Sequence, residues 1–413
     1  MMNCCEVKKL GDIAEISSGG TPSRSKKEYW DNGTIPWVKI KDIKEKFIST
    51  TEEFITEDGL KNSSAKLFKK GTLLYSIFAT LGEVAILDID ATTNQAIAGI
   101  NIKENNINSL YLMYFLRSIK DEISNKGRGV AQNNLNLSIL KQIEIPLPPL
   151  KEQERIVGIL DESFAKIDES IKILEQDLLN LDELMQSALQ KAFNPLKDNA
   201  KENYKLPQGW KMETLGEILS SDKYSIKRGP FGSSLKKSFF VEKGIRIFEQ
   251  YNPINNDPHW KRYFISHEKF KELEAFKATE GDLLISCSGT LGKIVELPKD
   301  TEMGIINQAL LKIRLNNIKI LNSYFIYYFN SPIIQEKILE STLGSAIKNI
   351  ASVKILKQIE IPLPPLKEQE QIASHLDELS SHVKNLKQNY QAQIKDLQEL
   401  KNSLLDKAFK GNL

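Results

Sequence analysis

The feature that most constrains this chain is an internal repeat. The fifteen residues Leu140–Glu154, LKQIEIPLPPLKEQE, return letter for letter as Leu356–Glu370, 216 positions further on. In both copies a proline-broken stretch runs straight into a long helical pattern. The chain is therefore two copies of one plan, and the period is that of a domain and not of a solenoid. Its 413 residues leave room for two domains of ordinary size plus helices. The expected fold class is α+β. Two mixed domains span residues 1–150 and 206–366, long helices span 151–194 and 367–410, and a polar linker fills 195–205.

The helices carry the clearest pattern. Leu160, Phe164, Ile167, Ile171, Leu174, Leu178 and Leu181 are spaced alternately by four and three, continuing to Met185 and Ala188. A seam of period 3.5 sustained over four heptads calls for a partner helix. The second helix offers Leu376, Val383, Tyr390, Leu397 and Leu404, with Leu379, Leu386, Ile394 and Leu400 between them, in a less regular run. A helix of this size is about 65 Å long. The short linker keeps the second domain near the far end of the first helix, so the second helix must start there and run back. An antiparallel two-helix coiled coil is therefore expected as a spacer, with the domains related by a pseudo-twofold axis.

The net charge of +2 is uninformative until divided by segment. Residues 1–150 carry net +1, the helix 151–193 net −5, residues 194–366 net +6 and the helix 367–409 net −1. A polyanion would be drawn to the mixed domains and away from the helices. Three cysteines (Cys4, Cys5, Cys287) do not make a disulfide framework. The amino terminus lacks signal-peptide regions, and no apolar run reaches the roughly 20 residues that span a bilayer. A cytoplasmic location with no membrane partner is the expectation.

Taken in order, the first domain opens with Lys8–Ile13 and a flexible loop, Ser17–Ser25, that contains Arg24. Ile35–Ile43 alternates apolar with polar as a half-buried strand does, projecting Lys39 and Lys41 from its polar side. Further strands are expected over Gly71–Ile77, Gly82–Leu87 and Asn94–Ile100, then a helix over Ser109–Asn125. A basic, amide-rich loop with Arg128 and Gln132 follows. The second domain repeats this frame: Leu10–Ile13 answers to Leu215–Ile218, Gly71–Leu74 to Gly281–Leu284, Thr80–Gly82 to Thr290–Gly292, and Asn94–Ala96 to Asn307–Ala309. Framework residues match and the polar faces differ. Lys39 and Lys41 fall opposite Glu249 and Tyr251, and the Ser17–Ser25 loop falls opposite Ile226–Lys237, which holds Lys227, Arg228, Ser233, Lys236 and Lys237. Two copies of one scaffold carry two different surfaces.

Catalytic and metal-ligating patterns are missing. There is no P-loop, no His-Glu-x-x-His and no paired Cys-x-x-Cys. The Asn-Gln-Ala segments admit a reading as catalytic amides, but a buried hydrogen-bonding role suits them better. No nucleophile–base or two-carboxylate constellation recurs in both copies, so no catalytic residue and no bound metal are expected.

In this order the residues resemble the DNA specificity (S) subunits of type I restriction–modification enzymes. The resemblance covers essentially the whole chain. It rests on Lys8–Ile13 leading into Ser18–Pro22, on Ile35–Val38, on both Asn-Gln-Ala segments, on Leu206–Trp210, and above all on the two hinges. The resemblance implies that each mixed domain is a target recognition domain and that the helices form the spacer. It implies a chain that reads double-stranded DNA without chemistry of its own. Two methyltransferase (M) subunits and two restriction (R) subunits would join it in a DNA adenine methyltransferase and ATP-dependent endonuclease. The chain would bind no cofactor. Its partners would use S-adenosylmethionine, and ATP with Mg2+.

Two unlike domains at fixed separation would recognise a bipartite, asymmetric target. Candidate DNA contacts are Arg24, Lys39, Lys41, Arg128 and Gln132 in the first domain. In the second they are Lys227, Arg228, Ser233, Lys236, Lys237, Tyr251 and Lys348. Arginine and lysine suit guanine and glutamine suits adenine, although many such contacts go to phosphate. A non-catalytic scaffold spacing two modules of a non-DNA assembly fits the helices equally well, and an autonomous nuclease has the bipolar symmetry in its favour.

Overall fold

The structure, a computed structural model, describes residues 6–127, 135–193, 207–340 and 350–410. It divides into two compact units, residues 1–175 with 391–413, and residues 176–390. Two helices of 44 residues, Leu150–Phe193 and Leu366–Phe409, contribute a portion to each unit.

The first unit is built on a five-stranded sheet in the order Ala14–Ser18, Ile97–Ile102, Leu73–Ser76, Val84–Leu87, Phe47–Ile48. Two of its interior strands, Leu73–Ser76 and Val84–Leu87, are buried throughout because both faces are covered. Alternate side chains serve opposite faces. Leu73 and Tyr75 join the core formed with the helix Ser109–Ser118 and the long-helix residues Leu160, Phe164 and Ile167. Leu74 joins a smaller cluster with Val38, Ile43 and Phe68 on the other face. A three-stranded sheet sets Ile35–Val38 between Glu53–Ile55 and Thr92–Thr93, antiparallel to the former and parallel to the latter.

The helix expected over Ser109–Asn125 is two helices, Ser109–Ser118 and Lys120–Gly127. Asn108 caps the first, its Oδ1 accepting from Leu110 N and Tyr111 N. At the break the Ser118 hydroxyl donates to the Phe115 carbonyl, in competition with the helical ladder.

The second unit repeats this plan. A four-stranded sheet runs Ile226–Arg228, Leu310–Ile313, Leu283–Ser286, Ile294–Glu296. Leu283 and Ile285 face the helix Asn322–Asn330, and Leu284 faces a second cluster. The strand Ile245–Phe248 lies parallel to Gly304–Ile306, as Ile35–Val38 lies parallel to Thr92–Thr93.

The repeated segment is a clamped joint in both copies. Glu144–Leu147 pairs antiparallel with Glu6–Lys9, and Glu360–Leu363 with Lys211–Thr214. Among the described residues these ribbons have two strands each, so an edge position is open to Pro146 and Pro362. The glutamine after each proline run is buried and holds three backbone groups. Gln153 accepts from Asn108 N and donates to the carbonyls of Asn106 and Pro148. Gln369 accepts from Leu321 N and donates to those of Lys319 and Pro364. Tyr111 donates to Pro146 O and Tyr324 to Pro362 O, both at 2.7 Å. Tyr114 donates to Asp161, and Tyr327 donates to Asp377 at 2.5 Å. Each mixed domain is thus fastened to the first turns of the helix that follows it.

The two long helices run antiparallel within each unit. In the first, Lys401 pairs with Asp168 at 2.7 Å, and Leu397, Leu404, Leu405 and Ala408 join the core containing Leu160, Phe164 and Ile167. In the second, Lys387 pairs with Asp182 at 2.5 Å, and Leu376 joins the core containing Leu189 and Phe193. Along the seam Leu160, Phe164, Ile167, Leu181, Leu376 and Val383 are buried, while Ile171, Leu174, Leu178, Tyr390, Leu397 and Leu404 are half-buried. Leu386 and Leu400, set beside the seam by the sequence pattern, are exposed. One partner helix covers a narrow stripe, and residues outside it stay in solvent.

The helix ends finish each core. Phe409 sets its ring edge-on to Tyr111 and Phe115, with centroids 5.3 and 5.4 Å apart. Phe193 does the same to Tyr324 and Tyr328, at 5.3 and 5.4 Å.

Candidate nucleic-acid interface

The candidate surface of each domain lies where its two parallel strands end. In the first domain the chain leaves Val38 into a short 3-10 turn, Ile40–Asp42. Lys39 and Lys41 belong to this turn and not to a strand face. Asp42 ends the strand by accepting from Lys39 N at 2.8 Å, and the chain turns so that Ile43 is buried.

The basic residues there are paired. Lys39 bonds Glu53, and Lys41 bonds Glu52. Arg24 reaches Glu53 at 2.6 Å and sits over Trp30, its Cζ 3.5 Å from the ring centroid, with that of Trp37 at 4.8 Å. The hydrogen bond from Lys39 to Glu53 raises the lysine's pKa, and that from Lys41 to Glu52 lowers the carboxylate's. Burial pushes the Glu53 carboxyl up, but Lys39 and Arg24 outweigh it and hold it below the usual range. Three cations share two carboxylates, and these pairs order the side chains on this edge. Strand pairing of Ile35–Val38 with Glu53–Ile55 supplies the partners, a contact invisible to local pattern.

The second domain answers with aromatic residues. Lys227 Nζ lies 5.2 Å from the Phe276 ring centroid and 5.5 Å from that of Tyr224. Arg228 lies over Phe231, which is 63% exposed. Ser233, Lys236 and Lys237 are exposed on the two 3-10 turns that follow, Gly232–Ser234 and Lys237–Phe239, or between them. Tyr251 opens a short helix, Tyr251–Ile254, and stacks on Trp260 with centroids 4.3 Å apart and planes at 26°. Exposed rings beside cations offer both stacking and phosphate contact. Arg128, Gln132 and Lys348 lie outside the described residues.

Cys287 is buried, and burial pushes its thiol up to about 12. Cys4 and Cys5 lie outside the described residues.

Local sequence reasoning passed over several residues here. Glu249 and Gln250 follow the strand Ile245–Phe248, and their Oε2 and Oε1 atoms are buried without a hydrogen-bond partner among the described residues. Burial raises the Glu249 pKa, against the attraction of Arg262. The buried amide of Asn252 fixes this edge, accepting from Glu249 N and donating to the carbonyls of Asp257 and Trp260. Arg246 donates to the carbonyls of Pro258 and Trp260. An asparagine and an arginine in such a stretch look like surface residues until the loop folds over them.

The Asn-Gln-Ala segments hold the edge together. Asn94 N donates to Val38 O and its Oδ1 accepts from Ala96 N; Asn307 N donates to Phe248 O and its Oδ1 accepts from Ala309 N. The asparagines are structural, each closing a turn beside the strand end.

Both halves of the chain match one family model. The type I restriction modification DNA specificity domain covers residues 3–178 and again 207–396. The chain belongs to this family. As a specificity subunit it recognises sequence and does not catalyse, and its family implies DNA and the methyltransferase and restriction subunits as partners. Family membership decides against the scaffold and nuclease readings.

Among relatives, the specificity subunit of the type I restriction enzyme MjaIX from Methanocaldococcus jannaschii is 27% identical over 99% of this chain and 93% of its own length. That of EcoR124I/EcoR124II from Escherichia coli is 34% identical over 38% of this chain and 40% of its own. A structure described as underlying complex assembly and conformational transition of the type I R-M system superposes with a TM-score of 0.77, at 23% identity, over 100% of this chain and 99% of that one. The HsdS subunit from Thermoanaerobacter tengcongensis gives 0.58, also at 23% identity, over 100% and 98%. These structures share the fold with this specificity subunit. Among the described residues no helix is long and apolar enough to cross a membrane.

Proposed function

We propose that the paired basic and aromatic edges at the ends of the parallel strands are the reading surfaces. Arg24, Lys39 and Lys41 serve one half of a bipartite target, and Lys227, Arg228, Ser233, Lys236, Lys237 and Tyr251 the other. The observation that carries this reading is a frame kept twice in backbone and hydrogen bonds while the side chains on that edge change, Lys39 to Glu249 and Lys41 to Tyr251. A duplicated reader of two unlike sequences needs that pattern. Arg128, Gln132 and Lys348 remain candidate contacts in the same sense.

The reading extends to assembly. Val7, Ile139 and Leu150 are 58, 50 and 38% exposed in the first copy; Met212, Ile355 and Leu366 are 41, 45 and 40% exposed in the second. Val7 and Ile139 line one groove with Pro146. Equivalent apolar positions presented twice suit two copies of one partner, which supports two M subunits per chain, with two R subunits completing the restriction complex. On this reading S-adenosylmethionine belongs to the M subunits, ATP with Mg2+ to the R subunits, and the complex works in the cytoplasm as an adenine methyltransferase and endonuclease.

The test is genome-wide methylation mapping in a host carrying this gene with its partner methyltransferase gene, against a deletion of this gene alone. Loss of one bipartite methylated-adenine motif is expected. Unchanged methylation with active partner subunits present would overturn the reading.

A further inference from the structure

An exposed glutamine recurs at the same place in both reading edges. Gln95 and Gln308 stand at the apex of the two Asn-Gln-Ala turns, exposed, while the residues on either side are half-buried. The backbone beneath each is fixed on both sides. Ala96 and Ala309 give their N–H to the preceding asparagine side chain at 3.0 Å, and their carbonyls accept from Ile77 N and Cys287 N at 2.9 and 2.8 Å. A glycine loop is pressed against each turn. Gly19 N donates to Ile97 O, and Gly229 N to Leu310 O. A Cβ on Gly19 would lie 1.9 Å from Thr93 Oγ1, and one on Gly229 1.8 Å from Asn307 O. Only glycine permits this approach. The outcome in each domain is a rigid turn that presents one primary amide beside the strand end.

What surrounds the amide differs. Beside Gln95 stands Thr21, whose hydroxyl donates to its Oε1 at 2.5 Å. Two residues beyond Gly229, where the first copy has Thr21 beyond Gly19, the second has the exposed ring of Phe231. The amide is therefore not kept for its bond to the neighbouring loop, which exists in one copy and has no counterpart in the other among the described residues.

We propose that Gln95 and Gln308 are specificity-determining residues, each reading an adenine at the equivalent position of its half-site. A primary amide pairs donor and acceptor with adenine N6 and N7 in the major groove, and a locked turn sets its register. The inference rests on the DNA-reading edge proposed above. It requires the two otherwise unlike half-sites to share one A·T pair at the same place.

The experiment uses the full chain co-expressed with its methyltransferase subunits. The mapped target duplex and a panel with each base pair replaced in turn are titrated by fluorescence anisotropy. Gln95→Ala is expected to weaken binding to the target by about 5- to 150-fold and to erase discrimination at one A·T pair of one half-site. Gln308→Ala should do the same at the equivalent pair of the other. Equal weakening on target and scrambled duplexes, or unchanged discrimination at every pair, overturns the role of the glutamines while leaving the edge intact. If the unsubstituted complex shows no preference for the mapped target, the DNA-reading edge itself fails. Co-elution of the variants with the methyltransferase subunits checks that they fold.

Discussion

At the scale of single residues the two copies put most of their identical letters into fastening and most of their different letters into the reading edge. Gln153 and Gln369 each satisfy three buried backbone groups, and leaving such groups unpaired costs about 1–3 kcal/mol apiece. Glu249 is the opposite case, a half-buried carboxylate whose Oε2 has no hydrogen-bond partner among the described residues. Burial raises its pKa in the folded chain, with Arg262 opposing. The folded state therefore holds this proton more tightly than the unfolded one. The linked stability is fully present below the ordinary glutamate value, about 4.3, and declines as pH rises through the raised value. Glu249→Gln removes that decline. Thermal unfolding of the variant and the parent should coincide near pH 4, and the variant should gain relative stability toward neutrality. Parallel curves across that range would refute the burial argument. The basic cluster was the hardest residue-level feature to read from sequence. Lys39 and Lys41 were legible as polar neighbours of a strand, but Glu52 and Glu53 reach them only through strand pairing. An alternation pattern carries no information about which strand lies alongside.

At the scale of elements, the long helices and the repeated joint were legible because period and identity are local signals. What the helix ends do was not, since Phe193 and Phe409 pack on aromatic residues far away in sequence. Two kinds of contact hold these helices, and magnitudes separate them. The Lys401–Asp168 pair is exposed on the acidic side, with Asp168 at 60%, and such surface pairs contribute roughly 0–1 kcal/mol. Phe409 fills a site between Tyr111 and Phe115 beside the buried Leu405 and Ala408, and truncating a core phenylalanine costs about 3–5 kcal/mol. Denaturant unfolding of Phe409→Ala should show a loss several times that of Lys401→Ala, and at the smaller end of that range because Phe409 is only partly buried. Comparable losses would mean that the ion pair, and not the aromatic seat, anchors the helix end.

At the scale of the molecule, the duplication makes a prediction about half of it. The site that Phe409 fills in the first unit is matched by the site that Phe193 fills in the second, and the two phenylalanines close identical tripeptides, Lys191-Ala192-Phe193 and Lys407-Ala408-Phe409. Residues 1–196 contain one mixed domain, one joint and one helix ending in Phe193, but not the segment that completes their own core. A second copy carries the same tripeptide on a helix of the same length. The fragment is therefore expected to form a twofold dimer in which each copy's Phe193 takes the seat of Phe409 against the other's Tyr111 and Phe115. Sedimentation velocity would report the dimer, and Phe193→Ala should shift it toward monomer. With two identical reading edges, the dimer would select a palindrome made of the first half-site of the full chain's target. A fragment that stays monomeric while folded would show that the two halves have diverged too far in their helices to substitute for one another, and the symmetry would then be one of ancestry and not of present packing.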